Sequence, residues 1–419
     1  MIYVHVPFCR SFCTYCGFYS ETCSGEGGIM EQYADALCQE IEARQEEIRN
    51  HSVYGRNTIY IGGGTPSVLP LSVLKRIITA LASAISEVPA AGRDSWKAVA
   101  ARGFVSGWPG RAGTGWSAKH GSLTGVTAAP QADGHGCYDL EEFTVEVNPD
   151  DIVKGGLEYA RGLKELGVTR VSMGVQSFDD RVLWWMNRRH DAQDAVNAFG
   201  ILRDAGFDNI SIDLIFGFGT LSGADTWEDS ISRAIALAPE HISAYQLSIE
   251  PDSALEKMLD DGRFSEADED LCRGQYDLLC RMLSEAGYVH YEVSNFALPG
   301  REARHNSGYW DHSPYVGLGP AAHSFDGKRR SWNVADVNGY IAGSEREGEA
   351  LSAEQLAIED VMLGLRTASG VSAGHLREIA ESQAIDRLIS SGGLVETDGV
   401  MRIPESHFFV SDEIIRELL

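Results

Sequence analysis

Positive charge is scarce in this chain. Its 35 lysines and arginines stand against 61 aspartates and glutamates, a formal net charge of −26. Non-specific binding to nucleic acid or to an anionic membrane surface needs clustered Lys and Arg, so the charge balance argues against both. Long apolar runs are missing as well: no stretch reaches the ~18 apolar residues of a transmembrane segment. The opening residues MIYVHVPFCRSF carry too short an apolar stretch for a signal sequence and no small-residue cleavage site. A cytoplasmic protein is expected. Cysteine is sparse too, eight in 419 residues, and in a reducing compartment closely spaced thiols favour metal over disulfide. What is present suffices for a sizeable core, with 43% hydrophobic residues. The length suggests two or three domains, or one barrel with an appendage.

Short runs of β-branched and aromatic residues recur, each followed by a segment of helical period. The strand candidates are Ile2–Val6, Thr58–Gly62, Phe143–Asn148, Arg170–Val175, Asn209–Phe216 and His241–Ile249. Several are nearly continuous in apolar character, as strands buried on both faces are. Between them, Tyr33, Leu37 and Ile41 share a helix face, as do Val73, Ile77 and Leu81. Gly167 and Gly206 stand where left-handed C-caps belong. Thr226-x-x-Asp229 reads as a weak capping box. Such alternation predicts an α/β fold with a parallel sheet. A polar or glycine-rich cluster follows nearly every strand, a rim drawn from many strands, which favours a partial (βα)6 TIM-like barrel over an open dinucleotide-binding sheet. The expected organisation is a barrel core over 1–250 with an insertion at about 88–138, an extension over 251–345, and a small helical or winged-helix-like C-terminal domain over 346–419. In the last, helices are expected over Ala353–Thr367, His375–Glu381 and Ile385–Ser390, with a hairpin near Val395–Ile403.

Cys9-x-x-x-Cys13-x-x-Cys16 follows the first strand and carries the strongest chemical signal. Structural zinc wants four ligands, so three thiolates leave it one short unless Cys23 or a histidine completes the set. A cubane cluster wants one Cys per iron, and three leave one iron open to an outside ligand.

This loop resembles the signature of radical S-adenosylmethionine (SAM) proteins, in which the open iron of a [4Fe–4S] cluster chelates SAM and an electron from the cluster cleaves its sulfonium. The likeness extends through Tyr3-Val-His-Val-Pro-Phe-Cys9, Gly62-Gly-Gly-Thr-Pro66, Glu146-Val-Asn-Pro149, Gly174-Val-Gln-Ser-Phe178, Asp213-Leu-Ile-Phe-Gly217, Tyr291-Glu-Val-Ser-Asn-Phe296, His305-Asn-Ser-Gly-Tyr-Trp310 and Gly319-Pro-Ala-Ala-His-Ser324. In that order they resemble the oxygen-independent coproporphyrinogen III oxidase superfamily. The resemblance implies metal ligation by Cys9, Cys13 and Cys16. It also implies SAM contacts from Gly63, Gly64 and Thr65, from Glu146, Gln176, Arg188 and Asp213, and from Tyr15 beside the adenine, with Tyr3 counted among the cofactor-binding positions. Carboxylates suit ribose hydroxyls and a guanidinium suits the SAM carboxylate.

Within the superfamily, the oxidases carry a further cysteine where Phe18 stands here, and an N-terminal extension before the cluster; Cys9 is only the ninth residue of this sequence. Both features, with the HNxxYW motif at His305–Trp310, resemble the heme chaperone HemW branch. That branch implies heme as a third cofactor, with His305 as an axial ligand candidate and His323 a second, and delivery of heme to respiratory proteins. Two other functions compete: decarboxylation of coproporphyrinogen III, and a methyltransferase or other tetrapyrrole enzyme on the same barrel. The chain departs from the branch at Gly17, where Asp is common, and at Gly217-Phe218-Gly219-Thr220, where Gly-Leu-Pro-Gly-Gln-Thr is usual. Phe178, Ile215 and Leu247 are expected in core or cavity wall, and Cys38, Cys272 and Cys280 in helix cores.

Overall fold

The structure, a computed structural model, describes residues 1–23, 28–54, 56–86, 140–219 and 224–419. The insertion expected at about 88–138 and Cys137 lie outside them. Six parallel strands occur where the β-branched runs predict them: β1 Ile2–Val6, β2 Thr58–Gly63, β3 Glu142–Val147, β4 Arg170–Gln176, β5 Ile210–Phe216 and β6 His241–Gln246. They are neighbours in chain order, with Ile2 opposite Ile59, Ile61 opposite Val145, Val145 opposite Val171, Val171 opposite Ile210 and Ile212 opposite Ile242. The antiparallel pair β7 Val289–Glu292 and β8 Asn295–Ala297 extends the β6 edge, and β9 Val316–Leu318 lies parallel to β1 on the other. The outermost strands, β7 and β9, do not pair with each other, so the nine-stranded sheet is an unclosed barrel.

The strands differ from the expectation in one respect: they alternate. Val4, Val6, Ile61, Val145, Val171, Ile212 and Ile242 are fully buried on the helix-facing side. The opposite, inward side carries Tyr3, Tyr60, Thr144, Arg170, Ser211 and His241, and their polar atoms mostly find partners within the barrel. Ser211 Oγ meets His241 Nδ1 at 2.8 Å, Ser172 Oγ donates to Asp213 at 3.2 Å, and Tyr3 Oη meets His5 Nδ1 at 3.0 Å. A buried polar group is tolerable when it is hydrogen-bonded, so a strand with both faces buried need not be apolar on both.

The crossover helices are α1 Ile29–Ala43, α2 Gln45–Tyr54, α3 Leu71–Ser86, α4 Pro149–Glu165, the short α5 Asp180–Trp185, α6 Ala192–Asp204 and α7 Ala224–Ala236. Tyr33, Leu37 and Ile41 of α1 and Val73, Ile77 and Leu81 of α3 are buried as their period predicts. Gly167 and Gly206 end their helix turns at φ of 92° and 90°. There the Gly167 amide donates to Lys164 and the Val168 amide to Leu163, closing the last turn as a left-handed cap does. Thr226 is a correction: it lies within α7, which spans Ala224–Ala236, and is no N-cap.

Beyond β6 come α8 Ala254–Asp260, α9 Glu269–Glu285, α10 Arg304–Trp310 and α11 Val337–Ile341, with a small antiparallel sheet of β10 His323–Phe325, β11 Arg329–Trp332 and β12 Glu347–Ala350. The C-terminal part has α12 Ala353–Gly364, opened by a Ser352–Gln355 capping box, then α13 Ala373–Ile379 and α14 Ser382–Ser391. Strands β13 Val371–Ser372, β14 Val395–Thr397 and β15 Val400–Arg402 form a wing-like sheet, and α15 Ser411–Leu418 closes the chain. The sequence reading missed α15, although Ile414, Ile415 and Leu418 lie on one buried face.

Candidate cofactor site

The C-terminal ends of the parallel strands open into a cavity of about 590 Å3, which the loop Cys9–Phe18 covers from one side. Backbone bonds hold this loop. The Gly64 and Thr65 amides donate to Val6 and Phe8, at 2.8 and 2.7 Å, and the Thr14 amide donates to Met186. Leu255, from the start of α8, donates to the Thr14 carbonyl at 2.8 Å. Arg10 pairs with Asp151 near the start of α4, and Asn187 Nδ2 donates to the Phe12 carbonyl at 2.7 Å. A Cβ on Gly64 would stand 2.8 Å from the Phe8 carbonyl oxygen and 2.9 Å from that of Val6, so only glycine lets this seam close.

Cys9, Cys13 and Cys16 all line the cavity. Cys9 Sγ lies 3.4 Å from Thr65 Oγ1, and Arg188 Nη1 donates to Cys13 Sγ at 3.4 Å. Burial raises the Cys9 thiol and pushes Cys16 up to about 11, outweighing the opposing pull of the nearby Arg188 guanidinium. No fourth cysteine faces this cavity among the described residues: Cys23 contributes only its amide, to the Cys9 carbonyl.

Arg188 is fixed by Asn148 Oδ1 and the Gly174 carbonyl, both 2.6 Å from Nη2, while its buried Nε has no partner. Glu146 accepts from Tyr60 Oη at 2.6 Å and from the Gly63 amide at 3.1 Å. Burial nonetheless dominates and, with Asp213 nearby, pushes the Glu146 carboxyl up to about 7. Asp213 is likewise raised by burial, against hydrogen bonds from Ser243, Ser172 and Ser211. Gln176 reaches the cavity from a bulge between β4 and β5 and holds a left-handed φ of 68°, uncommon for a side chain of its size. Tyr15 lines the wall with Ile215 and Leu247, whereas Phe178 is buried in the core.

The cavity thus gathers Tyr15, Gly63, Gly64, Thr65, Glu146, Gln176, Arg188 and Asp213 around the three cysteines. The donor set fits an iron–sulfur cluster with one open iron. An orphaned Arg188 N–H and two raised carboxyls fit a polar ligand beside it.

Two expected positions are not on this cavity. Tyr3 is turned into the barrel, bonded to His5. His305 is fully buried, with Nδ1 2.8 Å from Thr58 Oγ1 and Nε2 3.1 Å from Tyr309 Oη. Burial, then the N-terminal amine and Arg170, lower it to about 3, so its imidazole is a neutral interior strut with both nitrogens engaged. Its neighbour Asn306 lines the cavity instead. Sequence reasoning passed over Tyr60 and Tyr245, inward-facing strand residues whose alternation was the available signal.

The departure at Gly17 has a local reason. A Cβ there would meet Glu250 Cγ at 2.7 Å and Oε2 at 3.0 Å, so the Glu250 side chain fills the space a larger residue would need. In the departing loop, the Gly217 amide donates to Gln275 and Phe218 packs on Trp185; Thr220 lies outside the described residues.

Residues 137–230 match the Radical SAM superfamily. The chain is 30% identical over 396 residues to the heme chaperone HemW of Synechocystis sp., covering 91% of this chain and 81% of that protein. It is 32% identical over 403 residues to HemW of Mycobacterium tuberculosis, covering 94% and 89%. The mitochondrial radical S-adenosyl methionine domain-containing protein 1 of Bos taurus is 28% identical over 393 residues, covering 90% and 75%. Among solved structures, coproporphyrinogen III oxidase (HemN) from Escherichia coli has the same fold, with a TM-score of 0.73 at 18% identity over 99% of this chain and 89% of that one. Taken with the cysteine loop, the unclosed barrel and the ring of polar side chains at its mouth, identity of this level along nearly the whole chain means that the protein belongs to the HemW heme chaperone family of the radical SAM superfamily.

Proposed function

We propose that this protein is a heme-binding chaperone on a radical SAM core, passing heme to respiratory proteins in the cytoplasm. Cys9, Cys13 and Cys16 hold a [4Fe–4S] cluster, and the cavity beside it takes SAM. A cluster held by these three thiolates would supply one electron to the sulfonium of a SAM bound beside it. The chain's own residues bind and orient. Arg188, stiffened by Asn148 and Gly174, offers its free Nε–H to a carboxylate. Glu146 and Asp213 accept from ribose hydroxyls, Tyr15 supports the base, and Gly63 and Gly64 let the backbone approach. Free thiols at all seven described cysteines agree with a reducing compartment.

The observation that carries the chaperone reading is the identity to HemW proteins along most of the chain, with Phe18 in the place of the oxidases' further cysteine. Phe18 is 70% exposed and Phe12 52%, and both line the cavity. Large aromatics left in water mark a surface that meets an apolar partner, and a planar macrocycle is one. The buried His305 gives that surface no axial ligand; it supports the motif from within. Heme titration followed in the Soret band, beside an anaerobic assay of coproporphyrinogen turnover, tests the reading. Tight heme binding without decarboxylation is expected; clear decarboxylation sinks the chaperone assignment.

A further inference from the structure

Far along the chain from the cysteine loop, a second set of ligating side chains comes together. Cys280 on α9, His290 on β7 and Glu405, at the start of the 3-10 segment Glu405–Val410, offer ligand atoms that all lie within 4.8 Å of one another. They are 10 and 115 positions apart in sequence, so only the fold makes them neighbours. Cys280 Sγ stands 3.9 Å from His290 Nδ1, and Nδ1 stands 3.1 Å from Glu405 Oε1. Zinc bonds of about 2.0–2.3 Å at tetrahedral angles give ligand-to-ligand edges of about 3.3–3.6 Å. The two separations from His290 Nδ1 bracket those edges.

The hydrogen-bond directions sharpen the case. Tyr276 Oη donates its single proton to the Val293 carbonyl at 2.7 Å. It can therefore only accept from His290 Nε2, 3.2 Å away, which fixes the N–H on Nε2. The Nδ1 lone pair then faces a carboxylate and a sulfur. Lone pairs do not face each other without a proton or a cation between them, and an outer N–H held by an oxygen is how metal-bound imidazoles are oriented. The ring is locked by stacking on Phe296, 4.1 Å between centroids at 15°, with Phe408 edge-on at 5.0 Å. The His290 side chain is only 2% exposed while that of Glu405 is 56% exposed, so the site is closed on the protein side and leaves room for water on the other.

We propose that Cys280, His290 and Glu405 bind a divalent cation of the zinc type, which clamps the C-terminal segment to the α9–β7 unit. Mixed sulfur, imidazole and carboxylate donors suit zinc over magnesium or calcium. The fourth position falls to water, on the Glu405 side.

The test compares the full-length protein with Cys280→Ser, His290→Ala and Glu405→Gln, each loaded with zinc alone and desalted before metal analysis. Since the Cys9–Cys16 loop is present in all four proteins, the difference between them reports the second site. Wild type should retain one equivalent more than Cys280→Ser and His290→Ala, and Glu405→Gln should bind that equivalent at least tenfold more weakly. Glu405 lies at the surface, so its variant remains informative if the other two fail to fold. X-ray absorption of zinc in protein whose loop carries its iron should show one sulfur among nitrogen and oxygen neighbours. Equal zinc retention in wild type and Glu405→Gln, or a site with three sulfurs, overturns the proposal and leaves an imidazolium–carboxylate pair in its place.

Discussion

Glu146 makes an unusual double prediction because burial pushes its carboxyl up to about 7. An unfolded glutamate titrates near 4.3, so the gap is roughly 2.7 units, worth about 3.7 kcal/mol at 1.36 kcal/mol per unit. The folded pKa is the higher one, so the contribution is fully present below pH ~4.3 and lost as pH rises through about 7. The ligand-free protein should therefore lose stability between those limits by up to about 3 kcal/mol from this group. Ligand binding runs the other way. A ribose hydroxyl donates to the carboxylate and not equally to the acid, so SAM affinity should rise as Glu146 ionises. With a pKa of about 7 the ionised fraction is roughly one-tenth at pH 6 and nine-tenths at pH 8. About a tenfold tightening is expected across that interval. Thermal unfolding and calorimetric SAM titration, each at pH 6 and 8, read the two effects. Between pH 6 and 8 this group contributes about 1.4 kcal/mol of the wild-type loss, so in Glu146→Gln the stability dependence should shrink by that amount and the affinity dependence by about tenfold. If the variant and the wild type show parallel pH profiles in both assays, the reasoning from burial to titration is refuted.

Other outcomes follow from the same contacts. His305→Ala strands Thr58 and Tyr309 in the interior and should cost about 2–4 kcal/mol of stability, seen as a lower melting temperature, with the heme spectrum unchanged. A lost Soret shift at an unchanged melting temperature would make His305 an iron ligand after all. Gly64→Ala forces the loop seam apart, since its Cβ would stand 2.8 Å from the Phe8 carbonyl, and should lower iron incorporation after reconstitution; normal iron content would show that the seam yields. Gly174→Ala should weaken SAM binding several-fold while sparing the cluster, because the new methyl meets Gln176 Nε2 at 2.8 Å and crowds Arg188 at 3.4 Å. Equal affinity would remove Arg188 from the SAM site.

The parts legible in the sequence are those whose signals are local. The β-branched runs gave all six parallel strands to within a few residues, and Gly167 and Gly206 marked helix ends because a left-handed φ favours that residue. The cysteine loop was legible because three closely spaced thiols follow the first strand, and the fold brings all three to one cavity. What escaped depends on tertiary direction. The inward alternation of Tyr60, Arg170 and His241 looks like mere interruption of apolar runs until the barrel supplies their partners. His305 sits in a motif whose residue types suit heme, but a seven-residue helix turns it inward and Asn306 outward, and one step along a helix is enough to do so. Cys280 reads as a helix-core cysteine by period, and only the return of residue 405 gives it neighbours that ligate.

Electron paramagnetic resonance of the dithionite-reduced protein, with anaerobic iron and sulfide analysis and with SAM added or withheld, tests the central claim most directly. Cys9, Cys13 and Cys16 around an open coordination site predict about four irons per chain and a cluster signal that shifts when SAM binds. Zinc in place of iron, or a cluster signal that SAM leaves unmoved, would contradict it.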